Sequence, residues 1–319
     1  MSESGWNTID SDAGVFTELV DKLQIKNVQF DDLYSIDSDS LKSSSPLYGV
    51  IFLFKYGQVD RDYAADNNKP IDGTYDEDYQ QKGIFFANQT IQNACATQAV
   101  LNVLLNKSEI EIGEELTNFK GFVEGFDSEI CGETISNSEL IRSVHNSFSS
   151  PSLMVDEDKQ KPKPKYDDKN DGLFHFVGYL NINDQIYELD GLKTYPIKHG
   201  ECKSNEEFCQ KLPEILMRRI SKYGDELRFS LLAISNDKLR QYQEIGDVAM
   251  MHSEMMKRET WKRENELRRH DFVGLMVELL KNIGKDLSDD EYEDIIKQAR
   301  HKGQLKLLQN FTQNHVANN

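Results

Sequence analysis

Cysteine is scarce in this chain: four thiols in 319 residues (Cys95, Cys131, Cys202, Cys209), none in a C-x-x-C pair. That scarcity argues against a disulfide framework or a structural zinc site, and it suits a reducing compartment. No apolar run approaches the ~20 residues that a membrane span needs, so no membrane partner is expected. There is no internal repeat and no metal-ligand spacing, and neither a metal nor a cofactor is expected. The opening, Met1 to Asp12, is polar and acidic and does not read as a signal peptide. Positive charge is also short, with 37 Lys+Arg against 55 Asp+Glu and a net charge of −18. Residues 1–238 hold −17 of it (24 basic, 41 acidic) and residues 239–319 only −1 (13 basic, 14 acidic). Phosphates would be repelled by such a surface, which excludes nucleic acid as the main ligand. A basic protein partner fits better, and solubility alone would also account for the charge.

What is present is a globular composition, 38% hydrophobic, enough for a sizeable core. Gly14–Leu23 has helical spacing, and Lys26–Phe30 and Tyr48–Tyr56 read as strands, the second one buried. Ser35–Pro46 reads as a loop and Arg61–Tyr79 as a charged connector. Helices are expected over Thr90–Leu105, around Leu116–Phe126, and over Asn137–Phe148 with Ser136 or Asn137 as cap. Residues 149–172 are rich in Lys, Asp, Glu and Pro and read as a long mobile loop. Phe174–Leu180 and Gln185–Leu189 form a predicted hairpin, Glu206–Tyr223 a helix, and Leu227–Ser235 a closing strand. Beyond about 238 the character changes. Leu239–His270 reads as one long polar helix with a Met-rich stripe and a basic run, followed by helices over Phe272–Ile283 and Tyr292–Phe311. The expected domains are therefore 1–238 and a helical extension, 239–319.

Three residues carry candidate chemistry. Cys95 lies where a polar stretch turns into the buried helix Ala96–Leu104, with Asn93 as a candidate cap. A thiol in a helix's first turn feels the positive end of the macrodipole, which favours the thiolate. A lone cysteine is more often inert, so Cys95 needs partners. In the hairpin, His175 and Asp190 lie directly opposite if Ile182-Asn183 form the loop, and diagonally on one face if Asn183-Asp184 do. Either places a carboxylate within reach of an imidazole, as a catalytic triad requires. A three-residue loop would separate them. Gln89, six residues before Cys95, could donate an amide N–H to a developing oxyanion. The remaining histidines, His145 and His199 among them, lack an acid–nucleophile context.

At these residues the sequence resembles the ubiquitin C-terminal hydrolase family of cysteine peptidases. The blocks are Gln89…Asn93-Ala-Cys95-Ala-Thr-Gln98, His175-Phe-Val and Tyr187-Glu-Leu-Asp190-Gly-Leu, together with the opening Gly5-Trp6…Gly14-Val-Phe-Thr-Glu18-Leu. Arg269-His-Asp-Phe272…Leu275…Glu278-Leu-Leu280 resembles the extension of the family's long, proteasome-associated member. The resemblance implies an α/β fold, a papain-like α/β/α sandwich with a knotted backbone and a mainly antiparallel central sheet, plus an all-helical C-terminal extension. It implies a thiol-dependent deubiquitinase with Cys95 as nucleophile, His175 as general base and acid, Asp190 as its orienter and Gln89 as oxyanion donor. It makes 149–172 the loop that crosses the cleft. Implied partners are ubiquitin and its conjugates, the proteasome's ubiquitin-receptor subunit through the C-terminal helices, and a chromatin-remodelling complex, in the cytoplasm and nucleus. Two rival readings are a ubiquitin-binding scaffold without catalysis and a peptidase without ubiquitin specificity.

Overall fold

The computed structural model describes residues 5–150, 174–224, 228–285, 287–288 and 290–302. Most of the expected crossing loop, and the last seventeen residues, lie outside the described residues. Two compact units emerge, one of residues 1–150 and 172–269, the other of 151–171 and 270–319.

The first unit opens with α1 (Ala13–Lys22), whose free amides at Gly14 and Val15 are accepted by the Asp12 carboxylate. Strand β1 (Val28–Leu33) follows, then α2 (Ser38–Lys42), capped by Asp37 within what the sequence read as loop. After β2 (Leu47–Lys55), the supposed connector holds α3 (Gln58–Ala65) and the short edge strand β3 (Thr74–Tyr75). Four helices come next: α4 (Cys95–Leu104), α5 (Gly113–Phe122), α6 (Ser128–Asn137) and α7 (Glu139–Asn146). The cap of α7 is Ser138, whose Oγ accepts from Ile141 N–H, because α6 occupies the positions where the sequence placed it. The chain then runs through β4 (Phe174–Ile182), β5 (Gln185–Leu189), β6 (Ile197–Glu201), α8 (Asn205–Ile220) and β7 (Phe229–Asn236). The long polar helix expected after 238 is two: α9 (Lys238–Ile245) and α10 (Val248–Arg269). Gly246, at φ 73°, ends α9 in the left-handed conformation that glycine adopts without strain.

The seven strands form one sheet in the order β1-β7-β2-β4-β5-β6-β3, antiparallel at every pairing among the described residues. Both faces are covered. Along β2 the alternation is visible: Ile51 and Leu53 join the core under α1 and α4–α7, while Val50, Phe52 and Phe54 join the core under α2 and α8. The result is an α/β/α sandwich. α4 is the helix buried on almost all sides, from Ala96 through Leu104. Its approach to the sheet depends on two glycines on neighbouring strands. A Cβ at Gly49 would stand 2.8 Å from one Val103 methyl, and one at Gly178 would stand 2.5 Å from the other. This close seating sets the height of α4, and with it Cys95, over the sheet.

The compositional change near 238 falls inside the first unit. α10 lies on α1, where Trp261 covers Gly14 and Asn265 Nδ2 donates to the Gly14 carbonyl at 3.1 Å. Four cations of its basic run pair within the chain: Lys257 on Asp31 (2.9 Å), Arg258 on Asp237 (2.6 Å), Arg268 on Asp12 (2.9 Å) and Arg269 on Glu18 (2.7 Å). Met250, Met255 and Met256 remain exposed. In the second unit, α11 (Val273–Lys285) exposes Leu275, Met276, Leu279, Leu280 and Ile283.

Candidate active site

The β4–β5 hairpin turns on Asn183 and Asp184, with Ile182 opposite Gln185. Both turn residues have positive φ (49° and 59°), the backbone a two-residue turn of this hand demands. Of the two alternatives open in the sequence, the diagonal one is therefore realised. His175 and Asp190 share a face without being directly opposed, and His175 Nε2 lies 2.6 Å from Asp190 Oδ1. Both side chains are buried, at 3% and 2% exposure. An ionised carboxylate only accepts, so Nε2 carries a proton, and in the neutral tautomer this leaves the lone pair to Nδ1. The imidazole ring is held edge-on between Phe54 (5.6 Å) and Tyr56 (6.1 Å).

Burial by itself would raise the Asp190 carboxyl. His175, Arg219 and the Leu192 N–H (3.0 Å to Oδ1) reverse this and hold it well below the usual carboxylate range. Asp190 is thus kept as the anion that fixes the histidine's tautomer and orientation.

Cys95 begins α4, as expected, but Asn93 does not cap the helix. A 3₁₀ turn at Gln92–Ala94 runs into α4 without an extended cap residue, and Asn93 Nδ2 donates instead to the Trp6 carbonyl at 2.9 Å. The thiol also departs from the thiolate expectation. Burial pushes it up to about 11, against the pull of the Ala96 N–H and its own N–H. Desolvation outweighs the helix terminus here. Among the described residues, no side chain hydrogen-bonds the Cys95 sulfur.

Gln89 is half-buried, and its backbone N–H donates to the Gly191 carbonyl at 2.8 Å. Asn88 reinforces the junction: its Nδ2 reaches Gly191 O (3.1 Å) and Lys193 O (2.6 Å). From the other side Gln98 and Asn102 of α4 donate to the Ala87 carbonyl (2.9 and 3.1 Å). The segment ahead of Cys95 is thereby laced to the turn that follows Asp190. Asn88, Gln98 and Asn102 had no such role in the sequence reading, since only the fold brings residue 88 to residue 191.

The lacing leaves no room at α6. A Cβ on Gly132 would fall 1.9 Å from the Asn88 carbonyl oxygen, a backbone atom that cannot swing away. Gly132→Ala is expected to destabilise the fold by about 3 kcal/mol and to lower turnover by shifting Asn88–Gln89. Thermal melting and turnover of a ubiquitin amide check this; an unchanged melting temperature would show that the segment yields.

His145 is fully buried, joining Thr97 Oγ1 (2.7 Å) to the Asn7 carbonyl (2.7 Å), so it is a packing residue. His199 does have acids beside it, Glu188 at 2.8 Å and Asp72 at 3.7 Å, which the sequence reading missed. Cys131, Cys202 and Cys209 are buried and unpaired.

The family description "Ubiquitin carboxyl-terminal hydrolase, family 1" matches residues 6–221, and "Ubiquitin carboxyl-terminal hydrolases" matches 248–286. Ubiquitin carboxyl-terminal hydrolase 2 of Schizosaccharomyces pombe is 46% identical over 292 residues, spanning 89% of this chain and 92% of that one. Isozyme L5 of Dictyostelium discoideum is 41% identical over 76% of this chain and 66% of its own. The UCH37 catalytic domain of Trichinella spiralis, solved bound to ubiquitin vinyl methyl ester, superposes with a TM-score of 0.59 at 33% identity, covering 73% of this chain and 96% of that domain. With the fold, the His175–Asp190 pair and these relatives together, the chain belongs to the ubiquitin carboxyl-terminal hydrolase family of cysteine peptidases.

Proposed function

We propose that this deubiquitinase cleaves the bond after ubiquitin's C-terminal glycine, releasing an amine or a small adduct, with Cys95 as nucleophile. The single observation that carries the site assignment is the assembled His175–Asp190 pair, with Nε2 2.6 Å from Oδ1. In the proposed reaction Nδ1 takes the Cys95 thiol proton as the sulfur attacks the glycine carbonyl. The Cys95 N–H and the Gln89 side chain receive the oxyanion. His175 then returns the proton to the leaving amine, and later activates the water that frees ubiquitin. Supporting the substrate, the Trichinella domain is bound to a ubiquitin ester, and the −17 catalytic region complements the arginines of ubiquitin's tail.

Finer assignments belong to the same proposal. Residues 239–319 serve partner binding and regulation, with the exposed apolar row of α11 as the contact for the proteasome's ubiquitin receptor, and a chromatin-remodelling complex as a second partner. The expected locations are cytoplasm and nucleus. A weakly active or scaffold form has one observation in its favour: burial pushes the Cys95 thiol up to about 11, and no side chain among the described residues hydrogen-bonds it.

The test is adduct formation. Ubiquitin bearing a thiol-reactive C-terminal warhead should add once to the wild-type chain and not to Cys95→Ala, as read by intact mass. Failure of the wild type to add, with or without residues 239–319, would remove the hydrolase reading and leave the scaffold.

A further inference from the structure

Behind the His175–Asp190 pair lies a buried cation that the reaction as proposed does not use. Arg219, on α8, is 2% exposed. Its Nη1 is ion-paired with Glu188 of β5 and lies 3.3 Å from the Tyr179 hydroxyl of β4. Its Nε is 3.4 Å from the Tyr223 hydroxyl, which in turn donates to Asp60 of α3 at 2.7 Å. Nη2 makes no hydrogen bond among the described residues, and it stands 3.7 Å from Asp190 Oδ2. The guanidinium also lies 4.6 Å above the Phe54 ring, which stands nearly perpendicular to the His175 imidazole.

A buried ion pair is at best a weak source of stability, because desolvating both charges cancels most of their attraction. Glu188 already has a second partner in His199, at 2.8 Å. What Arg219 adds is its position, since one planar fork faces Glu188 with one nitrogen and Asp190 with the other. A lysine ammonium is a point charge and cannot divide itself in that way.

We propose that Arg219 is a positioning residue of the active site, holding the Asp190 carboxylate so that Oδ1 faces His175 while Oδ2 is balanced from behind. This rests on the role assigned above to His175 and Asp190. The charged and titratable groups facing the cluster are Glu188 and Tyr179 from the sheet, Tyr223 and Asp60 beside α8, Tyr56 against the His175 ring, Tyr75 of β3, Lys193 just after Asp190, and His199 behind Glu188. Removing the arginine's charge leaves the His175–Asp190 pair easier to protonate, so the acid limb of the kcat/KM profile moves to higher pH.

The experiment compares Arg219→Lys, Arg219→Met and the double variant Arg219→Met/Glu188→Gln, which deletes the buried ion pair without orphaning an acid. Active sites are counted with the ubiquitin warhead, and turnover of a fluorogenic ubiquitin amide is followed against pH. The expected result for Arg219→Met is an acid limb moved up by about half a unit or more, and for the double variant intact folding, a KM within about twofold, kcat lowered about tenfold, and a smaller upward move, since the Glu188 anion is lost with the arginine. Arg219→Lys should keep the limb in place and recover part of kcat. A folded double variant with the wild-type kcat and limb overturns the proposal. So does a lower kcat with an unmoved limb, which marks a structural role. If neither Met-containing variant folds, Arg219→Lys decides, and a moved limb or loss of folding there counts against positioning. A wild type that neither adds the warhead nor turns over the amide would instead fail the hydrolase reading itself.

Discussion

His175→Ala is expected to lower kcat/KM for a ubiquitin amide by roughly 10⁴-fold, with little change in ubiquitin affinity. The size follows from what the structure leaves to the histidine. Cys95 does not reach a thiolate through its helix, since burial pushes the thiol up to about 11. Among the described residues no side chain hydrogen-bonds the sulfur to relieve that, and the backbone amides of Ala96 and Cys95 only moderate it, so in the proposed reaction the proton must leave through His175. The same variant gives a second readout through alkylation of Cys95 by a small neutral reagent. A raised pKa means that the protonated form dominates at neutrality, so the rate should climb about tenfold per pH unit toward 11. A plateau below pH 9 in His175→Ala would show that the helix terminus lowers the thiol after all. An amide turnover near wild type would remove His175 from its role.

The second large effect concerns Asp190, and two substitutions separate its functions. Oδ1 accepts from both His175 Nε2 (2.6 Å) and Leu192 N (3.0 Å). An asparagine can keep an oxygen there, as papain-like sites with a Cys-His-Asn set do, while losing the charge. Its amide would point toward Arg219 Nη2, at 3.7 Å from the present Oδ2, and set donor against donor. Asp190→Asn should therefore lose roughly tenfold to a hundredfold in kcat, whereas Asp190→Ala, which frees the ring altogether, should lose roughly 10³-fold. The acid limb of Asp190→Asn should move to lower pH, because an anion that favours protonation is gone. Steady-state kinetics across pH checks both. Equal losses in the two variants would show that charge alone matters, not orientation.

Stability tells the same story with a defined sign. The Asp190 carboxyl lies lower in the folded chain than in the unfolded one, so its contribution is present above the ordinary carboxylate range and fades as the solution is acidified from there down through the lowered folded value.

Much of this site could be read before folding because the hairpin imposes a parity. With two turn residues, His175 and Asp190 must share a face, and both tolerated turns satisfy that. Choosing between them needed φ values, although Asn183 and Asp184, which tolerate the left-handed region, were the available hint. The two-helix form of residues 238–269 was also signalled, by Gly246, but the surrounding polar periodicity masked it. Other features had no local trace. Asn93 is a sound cap in isolation, and only the nearby Trp6 carbonyl diverts it. Gly132 looks unremarkable in its helix until residue 88 is brought against it. Arg219 is one of many helical arginines in sequence, and its burial is a product of the sheet order. The Cys95 thiol was misjudged for a related reason, since the helix end is local and the desolvation that dominates is tertiary.

The ion pairs along α10 make electrostatic solvency a shared property of the chain's two ends. Asp12, Glu18 and Asp31, near the N-terminus, take their counter-cations from Arg268, Arg269 and Lys257. A chain shortened to residue 238 would keep those acids and shed these three cations, leaving Lys238 on Asp31 (2.9 Å) and Lys22 on Glu18 (3.4 Å) as the remaining partners along that flank. Added salt would then stabilise the shortened protein more than the full-length one, in which screening the repulsion also weakens those pairs.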